Sequence, residues 1–168
     1  MRETIVQFDG VIDRALDRVR NPAVDSIAYR LSSAADHSLL WHLCGTAVAI
    51  ARGDDVGYAV RFAGAMAFES LLTNGVVKTA FKRVRPAPYE DISFSHGLHR
   101  PITSSFPSGH ATAAFCSARL LGGGPGWYAL ATAVAGTRVY VRLHHASDVA
   151  AGAAFGLVLG SALRRFVR

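Results

Sequence analysis

The chain is short of the residues that staple or charge a small fold. Only two of its 168 residues are cysteine, Cys44 and Cys116. They stand far apart in apolar stretches, which excludes a disulfide framework and any close-spaced zinc or redox pattern; both read as small buried hydrophobes. Charged residues make up 18% against 51% hydrophobic, with a mean hydropathy of +0.24. That is too apolar for disorder and unusually apolar for a freely soluble protein. Carboxylates are scarcest where it matters. Of twelve acids, six (Glu3, Asp9, Asp13, Asp17, Asp25 and Asp36) fall in the first 36 residues, and beyond residue 91 only Asp148 remains. The segment following Met1 holds no uninterrupted apolar run and no small-residue cleavage site, so no secretory signal is read there.

What is present fits one domain over residues 1–168, with amphipathic N-terminal helices over 1–36 and a helical core over 37–168. Ile5, Phe8, Ile12, Leu16 and Val19 recur every three or four positions between Asp and Arg residues, the mark of an amphipathic helix that packs on the core or lies in a membrane interface. A weaker amphipathic stretch spans 23–35. Further helical stretches are expected over 38–51, 56–81, 108–121, 127–143 and 148–163. The expected architecture is therefore an all-α helical bundle. Gly152, Gly156 and Gly160 at four-residue spacing, and Trp41, Tyr58, Trp127 and Tyr128 near segment ends, lean toward a membrane-embedded bundle. The alternative is a soluble Ala/Gly-rich bundle. A formal charge of +6 suits nucleic acid, anionic lipid or a phosphorylated substrate alike.

Three stretches carry groups suited to a phosphate. In Lys78-Thr-Ala-Phe-Lys-Arg-Val-Arg85-Pro86, Lys78 and Arg85 are about two helical turns apart and can share a face, so a point charge and a planar fork converge on one anion. In Pro107-Ser108-Gly109-His110, Ser108 is a natural N-cap, and the free amides behind it form an anion site that Gly109 leaves open and beside which His110 can donate a proton. In the third stretch, Thr137-Arg138 is followed by His144, His145 and the solitary Asp148. An aspartate four residues after His144 can fix its tautomer and prepare it as a nucleophile, while Arg138 adds a third cation for a phosphoryl-transfer transition state.

Together these blocks resemble the type-2 phosphatidic acid phosphatase superfamily, whose pattern is Lys-x6-Arg-Pro, Pro-Ser-Gly-His and Ser-Arg-x5-His-x3-Asp. All three occur in order between residues 78 and 148, with Thr137 in place of the usual Ser. The resemblance implies a helical, metal-independent and cofactor-free phosphatase that forms a phosphohistidine. By position it makes His144 the nucleophile, Asp148 its orienting partner and His110 the general acid, with Lys78, Arg85, Ser108, Gly109 and Arg138 as the phosphate pocket. His145 falls one place off the spacing.

The rivals are weaker. A metal site would have to use some of seven histidines, yet a setting of Lys78, Arg85 and Arg138 with only Asp148 opposing repels a dication. A nucleic-acid binder should interleave exposed aromatics with a basic stripe, which is not found. A soluble non-specific acid phosphatase of the same superfamily is the remaining alternative. The expectation is thus a multi-pass membrane enzyme of the cell membrane acting on a phosphorylated lipid, phosphatidyl or polyprenyl, with residues 87–106 bearing on headgroup selection.

Overall fold

The computed structural model describes residues 2–54, 56–89 and 100–167, and among these the regular structure is all helical, without a strand. Seven α-helices follow in order: α1 (Arg2–Asp17), α2 (Pro22–Ala34), α3 (Leu39–Arg52), α4 (Val56–Ser70), α5 (Gly109–Leu120), α6 (Pro125–Tyr140) and α7 (Ala146–Val167). Their ends follow from local chemistry. Asn21 caps α2 by accepting from the amides of Ala23 and Val24 at 3.1 Å each, with Pro22 at the first helical position. Gly53, at φ 68°, takes the left-handed conformation that closes α3.

Helix α5 is the axis of the bundle. Almost all of it is buried, and α3, α4, α6 and α7 pack around it. Its small residues allow this, and the α7 glycines bring the two backbones together. A Cβ added to Gly156 would lie 2.3 Å from the Thr112 carbonyl oxygen, and one added to Gly152 would lie 2.5 Å from that of Ser108. The four-residue glycine spacing is therefore spent inside the chain, where it sets the N-terminal turns of α5 and α7 side by side; the Ser108 amide donates to the Asp148 carbonyl at 3.1 Å. Trp41, Phe62, Met66, Leu121 and Val134 fill the core beside this axis.

Three expectations need correction. Trp41 and Tyr58 are core residues at 0% and 6% exposure, not interfacial aromatics. Lys78 and Arg85 do not share a helical face: α4 loosens into a wide π-type turn over Leu71–Val76, tightens into a 3-10 turn over Val77–Ala80, and Phe81 is extended. Pro86 contributes, because it disfavours helical backbone at Arg85. The sixth helix runs from Pro125 to Tyr140 instead of over 127–143, which moves its end back from the α6–α7 link where the spacing already placed His144. Helix α1 docks by its acidic edge, with Asp9 buried and Ile12 and Leu16 half-buried, while Ile5 and Phe8 of its apolar stripe are exposed. The Arg83 cation that Asp9 meets accounts for this docking, as described below.

The outer faces of the core helices are apolar as well: Leu43, Ile50, Val56, Val60, Leu71 and Val158 are all largely exposed. Among the described residues one helix, α7, is long and apolar enough to cross a membrane. Its 22 residues span about 33 Å at ~1.5 Å per residue, against a ~30 Å hydrocarbon core.

Candidate active site

A cavity of about 440 Å³ opens at the end of the bundle where α5 begins, lined by Lys78, Arg85, Gly109, His110, Arg138 and His144 among others. Six of the eight residues picked from the sequence therefore face one space, although they come from five separate elements. Lys78 reaches it from the 3-10 turn and Arg85 from the extended segment beyond. Gly109 and His110 open α5, Arg138 lies on the last turn of α6, and His144 sits on the α6–α7 link. Gly109 keeps this wall close-packed. A Cβ there would sit 2.8 Å from Asn74 Oδ1, which would have to move aside, and 3.5 Å from Lys78 Nζ, in ordinary contact with the ammonium.

The other two stand behind the cavity wall. Ser108 is fully buried and its hydroxyl accepts from the Ala111 amide at 3.4 Å, so it caps α5 and does not line the cavity. Asp148 is also fully buried. Its carboxylate is 3.8 Å from His144 Nδ1, beyond hydrogen-bond reach. It accepts instead from the Ser105 hydroxyl in a short bond, from the His145 amide at 2.9 Å, and from Arg83 at 2.7 Å.

The imidazole of His144 is held at both nitrogens. Nδ1 lies 2.7 Å from the Ser105 carbonyl oxygen and Nε2 lies 3.2 Å from Arg85 Nη1. A carbonyl can only accept and a guanidinium can only donate, so the proton is on Nδ1 and Nε2 carries the lone pair. Burial, with the Arg85, Arg138 and Lys78 cations around it and the Asp148 carboxylate opposing, pushes the imidazole pKa down to about 4. His144 is neutral at ordinary pH. His145 faces elsewhere, toward a groove between α1 and the segment after Phe81, with Nε2 3.2 Å from the Val84 carbonyl oxygen.

Arg138 is 2% exposed. Its Nη1 donates to the carbonyl and, in a short bond, the hydroxyl of Ser32, and lies 3.6 Å from Asp36. Thr137 turns its hydroxyl to the Val134 carbonyl at 2.7 Å and leaves the cavity alone. His110 Nε2 donates to Asp36 at 2.8 Å.

Three functional neighbours had escaped the sequence reading. Arg83 joins two buried carboxylates, Asp148 and Asp9, at 2.7 Å each. Asp9 also accepts from the Ser147 amide and hydroxyl at 2.8 Å. Asp36 faces His110 and Arg138 from the α2–α3 link. Each lies more than 60 residues from a partner, so no local spacing could reveal it; the only hint was the crowding of acids in the first 36 residues. Phe94 and His96, in the segment expected to select the headgroup, and His99 lie outside the described residues.

An α5 N-terminus, three cationic side chains, an imidazole nitrogen without a proton and a second histidine thus line one cavity on a helical bundle. The PAP2 superfamily matches this sequence over residues 58–168, and the chain belongs to that superfamily. It is an enzyme of the phosphoric ester hydrolase class. A decaprenylphosphoryl-5-phosphoribose phosphatase of Mycobacterium tuberculosis is 29% identical over 148 residues, covering 85% of this chain and 80% of that protein. Two solved structures share the fold. A transmembrane PAP2-type phosphatidylglycerolphosphate phosphatase of Bacillus subtilis superposes with a TM-score of 0.75 at 23% identity, over 97% of this chain and 86% of the other. LpxE of Aquifex aeolicus gives 0.70 at 24%, over 92% and 93%.

Proposed function

We propose that the protein is a membrane-embedded, metal-independent phosphatase that hydrolyses a lipid phosphate or diphosphate, phosphatidyl or polyprenyl, through a phosphohistidine on His144. The observation that carries this is the lone pair on His144 Nε2, which faces Arg85 Nη1 at 3.2 Å in the wall of a cavity that Lys78 and Arg138 also line. In the first half-reaction Nε2 attacks phosphorus. The P–N bond forms as the P–O bond to the alcohol breaks, and His110 gives the departing oxygen its proton. Water then attacks phosphorus and gives a proton to His110, the P–N bond breaks, and inorganic phosphate leaves. Lys78, Arg85, Arg138 and the α5 amides stabilise the charge on the non-transferring oxygens. A dication is disfavoured there because the donors are themselves cations.

The lipid assignment rests on size and surface. A cavity of about 440 Å³ takes a phosphate and part of a headgroup but no long chain, and the apolar outer faces of α3, α4 and α7 with the exposed side of α1 suit a tail and its bilayer. In this reading several core helices span the membrane and α1 lies in its interface. The mycobacterial relative, whose name denotes a polyprenyl-linked phosphosugar substrate, points the same way.

The test is phosphate release by detergent-purified protein from lipid phosphates and from water-soluble phosphoesters, in excess EDTA. Activity on the lipids that survives EDTA and is inhibited by orthovanadate supports the reading. Preference for soluble esters by protein recovered without detergent would favour the acid-phosphatase alternative.

A further inference from the structure

Asp36 has no part in the mechanism above, yet it faces the centre of the cavity. Its Oδ1 accepts from His110 Nε2 at 2.8 Å and lies 3.6 Å from Arg138 Nη1. An anion inside an anion pocket needs a purpose, because it competes with the charge of the substrate. Holding it there is also costly to the backbone. The two residues that follow, His37 and Ser38, both adopt left-handed conformations, at φ 53° and 58°, although neither is glycine. Burial works against the ionisation of Asp36, but the His110 hydrogen bond and the Arg138 charge hold its pKa below the usual carboxylate value.

From this geometry we propose that Asp36 is a positioning residue for the general acid: it holds the Nε2 proton of His110, so that the proton passed to the departing oxygen is the one on Nδ1. The inference rests on the phosphatase reading above. As an imidazolium, His110 carries both protons. The Nδ1 proton leaves with the alkoxide, and the neutral ring that remains keeps its Nε2–H on Asp36. In the second half-reaction Nδ1 is then the base that takes the proton from water. The carboxylate thus fixes the ring, selects the tautomer and stabilises the charged form needed at the start of each turnover. The N-terminal 36 residues accordingly contribute directly to the chemistry and are more than a scaffold for the core. The Arg138 contact extends this, since one carboxylate sets the distance between the acid and a phosphate-binding cation.

The experiment compares wild type, Asp36→Asn, His110→Ala and the double variant, each in detergent. The substrates are 4-nitrophenyl phosphate, whose leaving group needs little protonation, and a phosphatidic acid, whose alkoxide needs it. Asp36→Asn is expected to lose about 10- to 100-fold in kcat on the lipid, within the ~10²–10⁴-fold worth of general-acid help, and no more than about 3-fold on the nitrophenyl ester. Added to His110→Ala it should cost nothing further on the lipid, because the residue it positions is gone. Equal losses on both substrates, or losses that multiply in the double variant, would overturn the proposal and mark Asp36 as structural. If Asp36→Asn does not purify as folded protein, Asp36→Glu carries the same comparison. It is expected to show the same leaving-group dependence, and a uniform loss would again overturn the proposal. Failure of the wild type to release phosphate from either substrate would instead contradict the phosphatase reading itself.

Discussion

His144 donates its Nδ1 proton to the Ser105 carbonyl oxygen across 2.7 Å, and the tautomer of the imidazole follows from that bond with a backbone atom. Asp148 acts one step further out, through the Ser105 hydroxyl and the His145 amide. Where a carboxylate itself holds the tautomer, replacing it by an amide costs about 10⁴-fold in kcat. Here Asp148→Asn is expected to cost clearly less than that, while His144→Ala abolishes turnover. Steady-state rates on one substrate check this. A loss in Asp148→Asn as deep as in His144→Ala would mean that the carboxylate reaches the ring during catalysis.

Arg83 bridges buried Asp9 and buried Asp148. Arg83→Ala removes this cation from both acids and leaves them with their neutral donors alone, Ser147 for Asp9 and Ser105 and the His145 amide for Asp148. A fall in melting temperature with lower activity is expected, and Arg83→Lys should recover only part of it, because one ammonium cannot fork between two carboxylates. An unchanged melting temperature in Arg83→Ala would contradict this role.

The three motif blocks were legible because each needs its residues close in sequence: a cap followed by a helix at Ser108–Gly109–His110, and a histidine on the link before Asp148. The all-helical architecture was legible from apolar periodicity. What could not be read was tertiary. Lys78 and Arg85 converge through a π turn, a 3-10 turn and an extended segment, not through the helical face that their spacing suggests. Trp41 and Tyr58 look interfacial by position, but packing against α5 and its neighbours buries them. The acidic edge of α1 turned inward because Arg83 and Arg142 offer cations to Asp9 and Asp13, a preference invisible to a count of apolar positions.

The α5–α7 contact should tolerate no added atom at its centre. Gly156→Ala places a methyl 2.3 Å from the Thr112 carbonyl oxygen, backbone that can yield only if a helix shifts. A loss of about 1–3 kcal/mol is expected, as for other overpacked sites, with reduced activity because the same contact aligns Ser108 with Asp148. Gly64→Ala on α4, where an added Cβ meets nothing within 4 Å, is the control. Equal melting temperatures for the two variants would contradict the close packing.

The depressed pKa of His144 gives a pH signature with a definite sign. The folded imidazole binds its proton only near pH 4, against 6.5 when exposed, so between these values the unfolded chain holds more protons and stability falls as pH is lowered. Denaturant melts at pH 7 and pH 5 should therefore show a smaller acid loss in His144→Gln than in wild type. With His144 as the proposed nucleophile, an acid limb in kcat/KM that reports it is expected near pH 4. Identical pH dependence of stability in the two proteins would contradict the assignment.

The most direct measurement of the central claim is to capture the phosphoenzyme. Rapid mixing with labelled substrate, an alkaline quench that spares phosphohistidine, and peptide mapping locate the phosphoryl group. Expected is label on the peptide at His144, absent from His144→Ala and retained in His145→Ala. Label at His145, or a full turnover with no label on any histidine, would contradict attack by His144 Nε2.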